Sequence, residues 1–204
     1  MFKRIKGYIN HKIRKYIIYP RKIKRDKGKT VICNNCTGAM MLHDLGYRLD
    51  TPTVNLWMNT RDYFDFIKSL PNILFKTITD ITPSNSSYPI GSLDNRITLH
   101  FLHYKSFDEA VQQWNRRAAR VDLDNIYLLC VDNKDDGIDL DFKEFELLPY
   151  KHKVAITNDV SITTPSSVRL DYNPQDNKFL TSYIGWFGKR IYDNYDFKSF
   201  FSRT

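Results

Sequence analysis

The stretch Ile126-Tyr127-Leu128-Leu129-Cys130-Val131 is a run of six apolar side chains. A run of this length is typical of a central strand that is covered on both faces, as in a parallel sheet. Further strands are predicted elsewhere along the chain, at residues 30–34, 153–157 and 167–172. The stretch therefore predicts a sheet that is buried between two layers.

Segments with helical or extended patterns lie between these strands. The clearest helix covers residues 106–120, where Ser106 and Glu109 form a capping box at the start. Other helices are predicted at 37–45, at 61–70 behind a Thr60 cap, at 139–148 and at 188–201, and extended segments at 51–58, 76–82 and 96–103. The alternation predicts the α/β class, as a single three-layer domain with a largely parallel sheet.

Length and composition fit one folded domain. With 42% hydrophobic and 26% charged residues, the 204-residue chain has the balance of a globular protein. No apolar run reaches the roughly 18 residues that a spanning helix needs. Three Cys, an odd number, argue against a disulfide framework and favour a reducing compartment. We therefore expect a cytoplasmic protein.

The positive charge is concentrated in a leader, residues 1–28, that precedes the domain of residues 29–204. Residues 1–29 carry twelve Lys or Arg and one Asp, a charge of +11, so the chain's +8 leaves −3 for the remainder. Apolar residues recur every three or four positions from Phe2 to Ile17, which predicts a basic amphipathic helix. Pro20 then ends it.

Such a helix favours binding to an anionic membrane surface through residues 1–25, and hence a position at the inner face of the membrane. Two alternatives stay open: packing of the helix on the domain with its charges in water, and binding of nucleic acid. Basic residues do not recur through the domain beside exposed rings, so no nucleic-acid partner is expected.

A first group of polar residues follows the strand at 30–34, in the stretch Cys33-Asn34-Asn35-Cys36-Thr37-Gly38. Open α/β sheets bind ligands at the carboxyl ends of their strands, and a helix start favours anions. We expect a cleft that includes Asn34, Asn35, Cys36, His43 and Asp44. A structural zinc site needs four ligands, and the remaining cysteine lies in the apolar strand, so no metal is expected. The thiols are otherwise small buried side chains.

A second group surrounds the segment 96–103. His103 follows the predicted strand and is a candidate general base. Two histidines three residues apart on a strand face opposite sides, so His100 and His103 are not expected to share a metal. Asp94, in a Gly-containing turn, is a candidate for orienting a sugar hydroxyl. The alternative is that these are ordinary core, surface and turn residues.

A third group, Arg116 and Arg117, ends the clearest helix. Guanidinium groups bind phosphate bidentately, which suits an activated donor, although cations at a helix C-terminus also complement its dipole. Asp132, Asp135 and Asp136 carry a weak signal for an acidic metal site, and a solvated loop is the favoured interpretation.

The order of these motifs is similar to that of a known family. It runs from the Cys33–Gly38 stretch through His43-Asp44-Leu45-Gly46 and Asn55-Leu56-Trp57 to Pro89–Asp94, His100–Tyr104 and Trp114–Arg117. Over roughly residues 30 to 200 it resembles a bacterial domain family of unassigned activity, usually labelled exopolysaccharide or capsular polysaccharide biosynthesis. The resemblance implies a three-layer α/β fold and a role among polysaccharide genes, but it supplies no catalytic residues. Thr37 stands where the family often has a larger residue.

These observations predict a transferase, of glycosyl or another substituent group, that acts on a polysaccharide precursor at the membrane. The rival interpretation is a non-enzymatic accessory protein recruited to the same machinery. The candidate catalytic residues are His43, Asp94 and His103, and the candidate substrate-binding residues are Asn34, Asn35, Cys36, Asp44, Asn55, Trp57, Arg116 and Arg117. The sequence indicates no particular cofactor and no oligomeric state.

Overall fold

The computed structural model describes residues 2–20, 25–132 and 141–202. The strands are β1 (Arg25–Cys33), β2 (Tyr47–Leu49), β3 (Ile78–Asp80), β4 (Ile90–Leu93), β5 (Ile97–His100), β6 (Ile126–Val131), β7 (His152–Thr157), β8 (Ser167–Arg169), β9 (Tyr183–Ile184) and β10 (Lys189–Arg190). The helices are α1 (Phe2–Ile13), α2 (Thr37–Asp44), α3 (Thr60–Lys68), α4 (Phe107–Ala118), α5 (Phe142–Leu147) and α6 (Phe197–Ser202).

A five-stranded sheet in the order β2-β1-β6-β7-β8 forms the centre of the fold. Each neighbouring pair in it is parallel, and Cys33 of β1 lies opposite Leu129 of β6. All six residues of β6 are buried, which confirms the prediction of a central strand.

Two hydrophobic clusters cover the two faces of this sheet. On one face, Leu128 and Cys130 pack with residues of α3, α4 and α5 and of the small antiparallel sheet β3-β4-β5. On the other face, Leu129 and Val131 pack with residues of α2 and α6. The predicted three-layer α/β architecture is therefore confirmed.

Several predicted boundaries shift. Asn59, not Thr60, caps α3, because the Asn59 side chain accepts from the N–H of Asp62 and Thr60 is already helical. Residues 52–55 form turns rather than an extended segment, and β5 ends at His100. The helix predicted at 139–148 is observed as α5, and residues 139 and 140 lie outside the described ranges.

The predicted helix at 188–201 is wrong. The segment begins in the β9–β10 hairpin and passes through a 3-10 turn, Ile191–Asn194, before the short helix α6. Gly185 and Gly188 have positive φ angles of 64° and 70°, which suit a turn between strands rather than a helix. The buried aromatic side chains come from two of these pieces, the 3-10 turn and α6, so their spacing did not reflect one helix.

The leader helix α1 lies on the domain. Its continuation, the π-helical segment Arg14–Ile18, places the buried Arg14 between two carboxylates, with Arg14 Nε 2.8 Å from Asp44 Oδ2 and Nη1 2.6 Å from Asp193 Oδ2. β1 begins at Arg25, within the segment predicted as a leader. None of the described helices is long and apolar enough to cross a bilayer.

Candidate functional site

The topology opens a crevice beside β1. The chain leaves β1 through α2 to reach β2 on one side, whereas β6, the next strand of this sheet along the chain, lies on the other side. Loops that leave neighbouring parallel strands in opposite directions make a crevice at their carboxyl ends, where α/β sheets bind ligands. A cleft of about 470 Å³ lies at this point, and we call it the switch-point cleft.

Five parts of the chain line the switch-point cleft. Two of them lie at the ends of the central strands: Asn35, Cys36 and Thr37, which follow β1, and Val131 at the end of β6. The other lining residues are Trp57, Leu102, His103, Tyr172, Pro174, Phe179, Leu180 and Thr181. The lining is mostly apolar and aromatic with a few polar groups, as is usual for small-molecule sites.

Asn34 holds the two central strands together below the cleft. Its side-chain Nδ2 donates to the carbonyl of Val131 at 2.8 Å, and its Oδ1 accepts from the N–H of Val131 at 2.9 Å. Both polar atoms are thus used within the protein, and the residue is buried. Asn34 fixes the position of the strand ends and does not face the cleft as a ligand-binding group.

Two N–H groups at the start of α2 have partners within the protein. Asn35 Oδ1 accepts from the N–H of Thr37 at 2.9 Å, and the N–H of Gly38 points at the sulfur of Cys33. Burial raises the pKa of the Cys33 thiol to about 12 in spite of this contact. These two first-turn N–H groups are therefore already satisfied without a bound anion.

Cys36 is the one cysteine of the described residues that lines the switch-point cleft. Burial raises the pKa of its thiol to about 11, which outweighs the opposite effect of the backbone of Asn55. At neutral pH the side chain is a thiol rather than a thiolate, and a thiol is a poor nucleophile. Cys33 and Cys36 are both free. The geometry therefore favours a wall residue over a catalytic nucleophile.

Trp57 is held rigidly as one wall of the cleft. Its ring stacks on the His100 imidazole, with centroids 3.9 Å apart and planes inclined by 10°. The two backbones also pair, since each N–H donates to the other carbonyl at 3.0 Å. His100, which the sequence presented as a less favourable site residue than His103, thus supports the indole from behind. A fixed aromatic face is available to a ring-shaped ligand.

His103 lies in the turn after β5, where its exposed side chain lines the switch-point cleft. It also lines a second depression of about 360 Å³, together with His43, Asn55 and Cys36. Asn55 has a φ of 65°, and its carbonyl accepts from the N–H of His103 at 3.4 Å. Two of the three predicted catalytic residues, His43 and His103, therefore meet at one depression beside the cleft.

Other predicted site residues lie elsewhere. Asp94, in the β4–β5 turn, pairs with Arg96 at 3.3 Å and lies at the opposite end of that hairpin from His100. Arg116 is exposed and donates to the side chain of Gln113.

Two further polar residues are tied into the structure. Arg117 is buried, and its Nη1 donates to the Tyr104 hydroxyl at 2.5 Å, which in turn donates to the carbonyl of Val54. Asp44 is the ion-pair partner of Arg14. Among the described residues that line the switch-point cleft, none is Lys or Arg. The predicted phosphate clamp is therefore not assembled at the cleft.

The aromatic wall at residues 172–181 was missed by the sequence reasoning. Tyr172 donates its hydroxyl hydrogen toward the carbonyls of Asp132 and Ile156, which anchors the wall to the ends of β6 and β7. Phe179 extends the wall, and its side chain is exposed. No local motif marks these residues, because only the tertiary fold brings them to the cleft.

No cation site accompanies the cleft in the parts of the chain that the structure describes. Within residues 2–20, 25–132 and 141–202, no group of three or more His, Cys, Asp or Glu side chains is placed to hold a metal ion. Asp132 is buried and accepts from the hydroxyl of Thr157 at 2.9 Å. Asp135 and Asp136 lie outside the described residues.

Comparison with known proteins gives the family. A domain of unknown function, DUF1919, matches residues 8–202. The chain belongs to this family. An uncharacterized protein of Haemophilus influenzae is 32% identical over 208 aligned residues, which cover 100% of this chain and 98% of that protein. The DUF1919 match begins at Tyr8, so it includes the part of α1 that contacts the domain.

Proposed function

We propose that the switch-point cleft binds a sugar unit of a polysaccharide precursor, and that the chain is a transferase of bacterial surface-polysaccharide biosynthesis at the inner face of the membrane. The observation that carries the proposal is the position of Trp57 and His103 on a cleft at the carboxyl ends of β1 and β6. An aromatic face suits the apolar side of a sugar ring, and an imidazole beside it can accept a hydroxyl proton.

The charge of the cleft supports one kind of substrate over another. A phosphate-containing donor needs cations, and none of the described lining residues is Lys or Arg. The cleft therefore suits the neutral acceptor rather than the phosphate group of a donor. In this arrangement Trp57 positions the sugar, and His103 removes the proton from the acceptor hydroxyl. The acceptor oxygen then bonds to the transferred group as the bond from that group to the donor breaks, and the donor's leaving group departs with the electron pair.

The accessory role is the second candidate, and one observation favours it. Asp94 and Arg116 do not line the cleft, although a convergent set with His43 and His103 was the expectation for an enzyme. A protein that only presents a sugar chain to other enzymes needs the aromatic face of Trp57 and no general base.

Calorimetry and transfer assays on the full chain distinguish the transferase from the accessory protein. Neutral oligosaccharides are the binding probes, and sugar nucleotides and other activated donors are added for turnover. For the transferase we expect Trp57→Ala to weaken sugar binding by about tenfold, and His103→Ala to keep binding while abolishing transfer.

Matched controls come from the same chain. Trp186→Ala and His11→Ala change an exposed tryptophan and an exposed histidine outside the switch-point cleft, and both should bind sugar as the wild type does. Sugar binding without transfer from any donor supports the accessory role. Absence of sugar binding, or binding that Trp57→Ala leaves unchanged, overturns both.

A further inference from the structure

The helix α1 and its continuation Arg14–Ile18 contact the domain with polar side chains and leave most of their large apolar side chains in solvent. Asn10 and Arg14 are buried, at 1% and 3% exposure. Tyr8, Tyr16 and Ile17 are 63%, 58% and 71% exposed. This is the reverse of an amphipathic helix that packs on a core. The exposed side is thus unpartnered in the described structure.

The β9–β10 hairpin, which is attached to α1, also exposes large apolar side chains. Its turn carries Trp186 and Phe187, which are 42% and 79% exposed. Asn10 fastens the turn to α1, since its Nδ2 donates to the carbonyl of Gly185 and its Oδ1 accepts from the N–H of Gly188, both at 3.0 Å. Lys6 Nζ also lies 5.5 Å from the centre of the Trp186 ring.

Close backbone contact fixes the hairpin against the helix. A Cβ on Gly188 would lie 2.8 Å from both the carbonyl oxygen of Asn10 and the N atom of Arg14, so only glycine fits there. Arg14 Nη1 donates to the carbonyl of Gly188 at 2.9 Å. We call the exposed apolar side chains of the helix and the hairpin together the α1–hairpin face. Its members are Tyr8, Ile9, Tyr16, Ile17, Trp186 and Phe187.

The charge of the face indicates its occupant. Residues 2–20 contain no Asp or Glu, and Lys12 Nζ lies between the rings of Tyr8 and Tyr16, 5.2 and 5.5 Å from their centres. On the flank of α1, His11 and Lys15 line a depression with Arg190. Exposed aromatic and aliphatic side chains among cations are the composition of a surface that lies in an anionic lipid interface.

We propose that the β9–β10 hairpin is a second membrane-binding element, and that Trp186 and Phe187 enter the headgroup region of an anionic bilayer beside α1. The inference deepens the proposed membrane location, on which it rests, and does not depend on the reaction in the cleft. Because Asn10 and Arg14 already fix α1 to the hairpin, the face is formed before it meets lipid. No ordering of a free helix is then required on binding.

Vesicle partitioning of the full chain tests the proposal. Vesicles of equal parts phosphatidylglycerol and phosphatidylcholine should bind the chain, and vesicles of phosphatidylcholine alone should bind it much more weakly. Phe187→Ala and Trp186→Ala should each lower partitioning by about tenfold. Phe75→Ala is the matched control, since Phe75 is 69% exposed and lies far along the chain from the face, and it should partition as the wild type does.

Tryptophan fluorescence gives a second, local measurement. The chain has three tryptophans, at 57, 114 and 186, and brominated lipids should quench the wild type but not Trp186→Phe. Unchanged partitioning of the Trp186→Ala/Phe187→Ala double variant, or equal quenching of Trp186→Phe, overturns the role of the hairpin. Failure of the wild type to bind anionic vesicles overturns the membrane location as well. Sugar binding by the same samples reports on the cleft separately.

Discussion

Asn34 acts as a side-chain continuation of the β1–β6 pairing. Its amide meets both the N–H and the carbonyl of Val131, which lies two residues beyond Leu129, the last residue of β6 that pairs with β1. Because Asn34 is buried, removal of its amide leaves both groups of Val131 without these partners and away from water.

Asn34→Ala should therefore lower the free energy of unfolding by about 2–4 kcal/mol, since each buried polar group left unpaired costs about 1–3 kcal/mol. Urea denaturation measures this loss. Asn115→Ala, at an exposed position of α4, is the control and should change stability by less than about 0.5 kcal/mol. Equal stability of the two variants would show that the amide of Asn34 is not a structural clamp.

The reactivity of the Cys36 thiol is a second testable property at the residue scale. Since burial raises its pKa to about 11, its alkylation by iodoacetamide at pH 8 should be at least about 100-fold slower than that of an ordinary exposed thiol. The rate should rise about tenfold with each pH unit as the thiolate fraction grows. Mass spectrometry of the labelled peptide measures it, and rapid labelling at pH 7 would instead indicate an activated nucleophile.

The sequence located part of the site and not its orientation. Asn35, Cys36, Trp57 and His103, which the sequence analysis named as candidate site residues, line one cleft, because residues after a parallel strand and in its neighbouring turns reach the same sheet edge. Which way a side chain points is a different matter. Asn34 turns inward to Val131, and no periodicity of neighbouring residues encodes that choice.

At the scale of an element, α1 is held by a buried charge cluster. Burial alone would lower the pKa of Arg14, but its hydrogen bonds with Asp193 and Asp44 raise it above the usual value. Burial alone would likewise raise the pKa of Asp193, and Arg14 lowers it below the usual value. The helix is thus attached through charges that stabilise one another.

The shift of Asp193 predicts how this attachment depends on pH. A carboxylate that has a lower pKa in the folded state than in the unfolded state stabilises the fold. This contribution is complete above the unfolded-state pKa of about 3.9, and it is lost as the pH falls through the lower folded-state pKa. Urea denaturation between pH 7 and pH 2 should show this loss below about pH 4. Arg14→Met removes the cause of the Asp193 pKa shift, so the stability of this variant should fall less steeply below about pH 4. An equally steep fall in the variant and the wild type would show that the Arg14–Asp193 pair does not cause the pH dependence.

The elements differ in how well local sequence predicted them. The strand at 126–131 was predicted with the bounds that the structure shows, since a short and wholly apolar run in a globular chain is typical of a buried strand. The helix α4 was predicted with its Ser106 cap, and Ser106 accepts from the N–H of Glu109 at 3.2 Å. The prediction of one helix at 188–201 was wrong because the buried rings of this segment belong to a 3-10 turn and to α6, which pack in one hydrophobic cluster.

At the scale of the molecule, the leader and the domain are one structure in the described residues. Arg14 reaches Asp44 on α2 and Asp193 after β10, about 30 and 179 positions away along the chain. Tyr19 packs in the hydrophobic cluster that contains residues of α2 and α6, and its ring centre lies 5.9 Å from that of Phe197. Charge counting showed that the leader is basic, but not that one of its arginines is an interior residue.

This integration predicts the effect of removing the leader. A chain that begins at residue 21 lacks Arg14, so Asp44 and Asp193 stay in a buried site without their cation. Loss of one side of a buried ion pair costs about 3–5 kcal/mol, and loss of Tyr19 from the core adds to it.

A chain that begins at residue 8 keeps Asn10 and Arg14, and its free energy of unfolding should stay within about 1 kcal/mol of that of the full chain. Denaturation midpoints of the three proteins decide the matter: if the chain from residue 21 is as stable as the full chain, α1 is an appendage and the buried cluster contributes nothing to the fold.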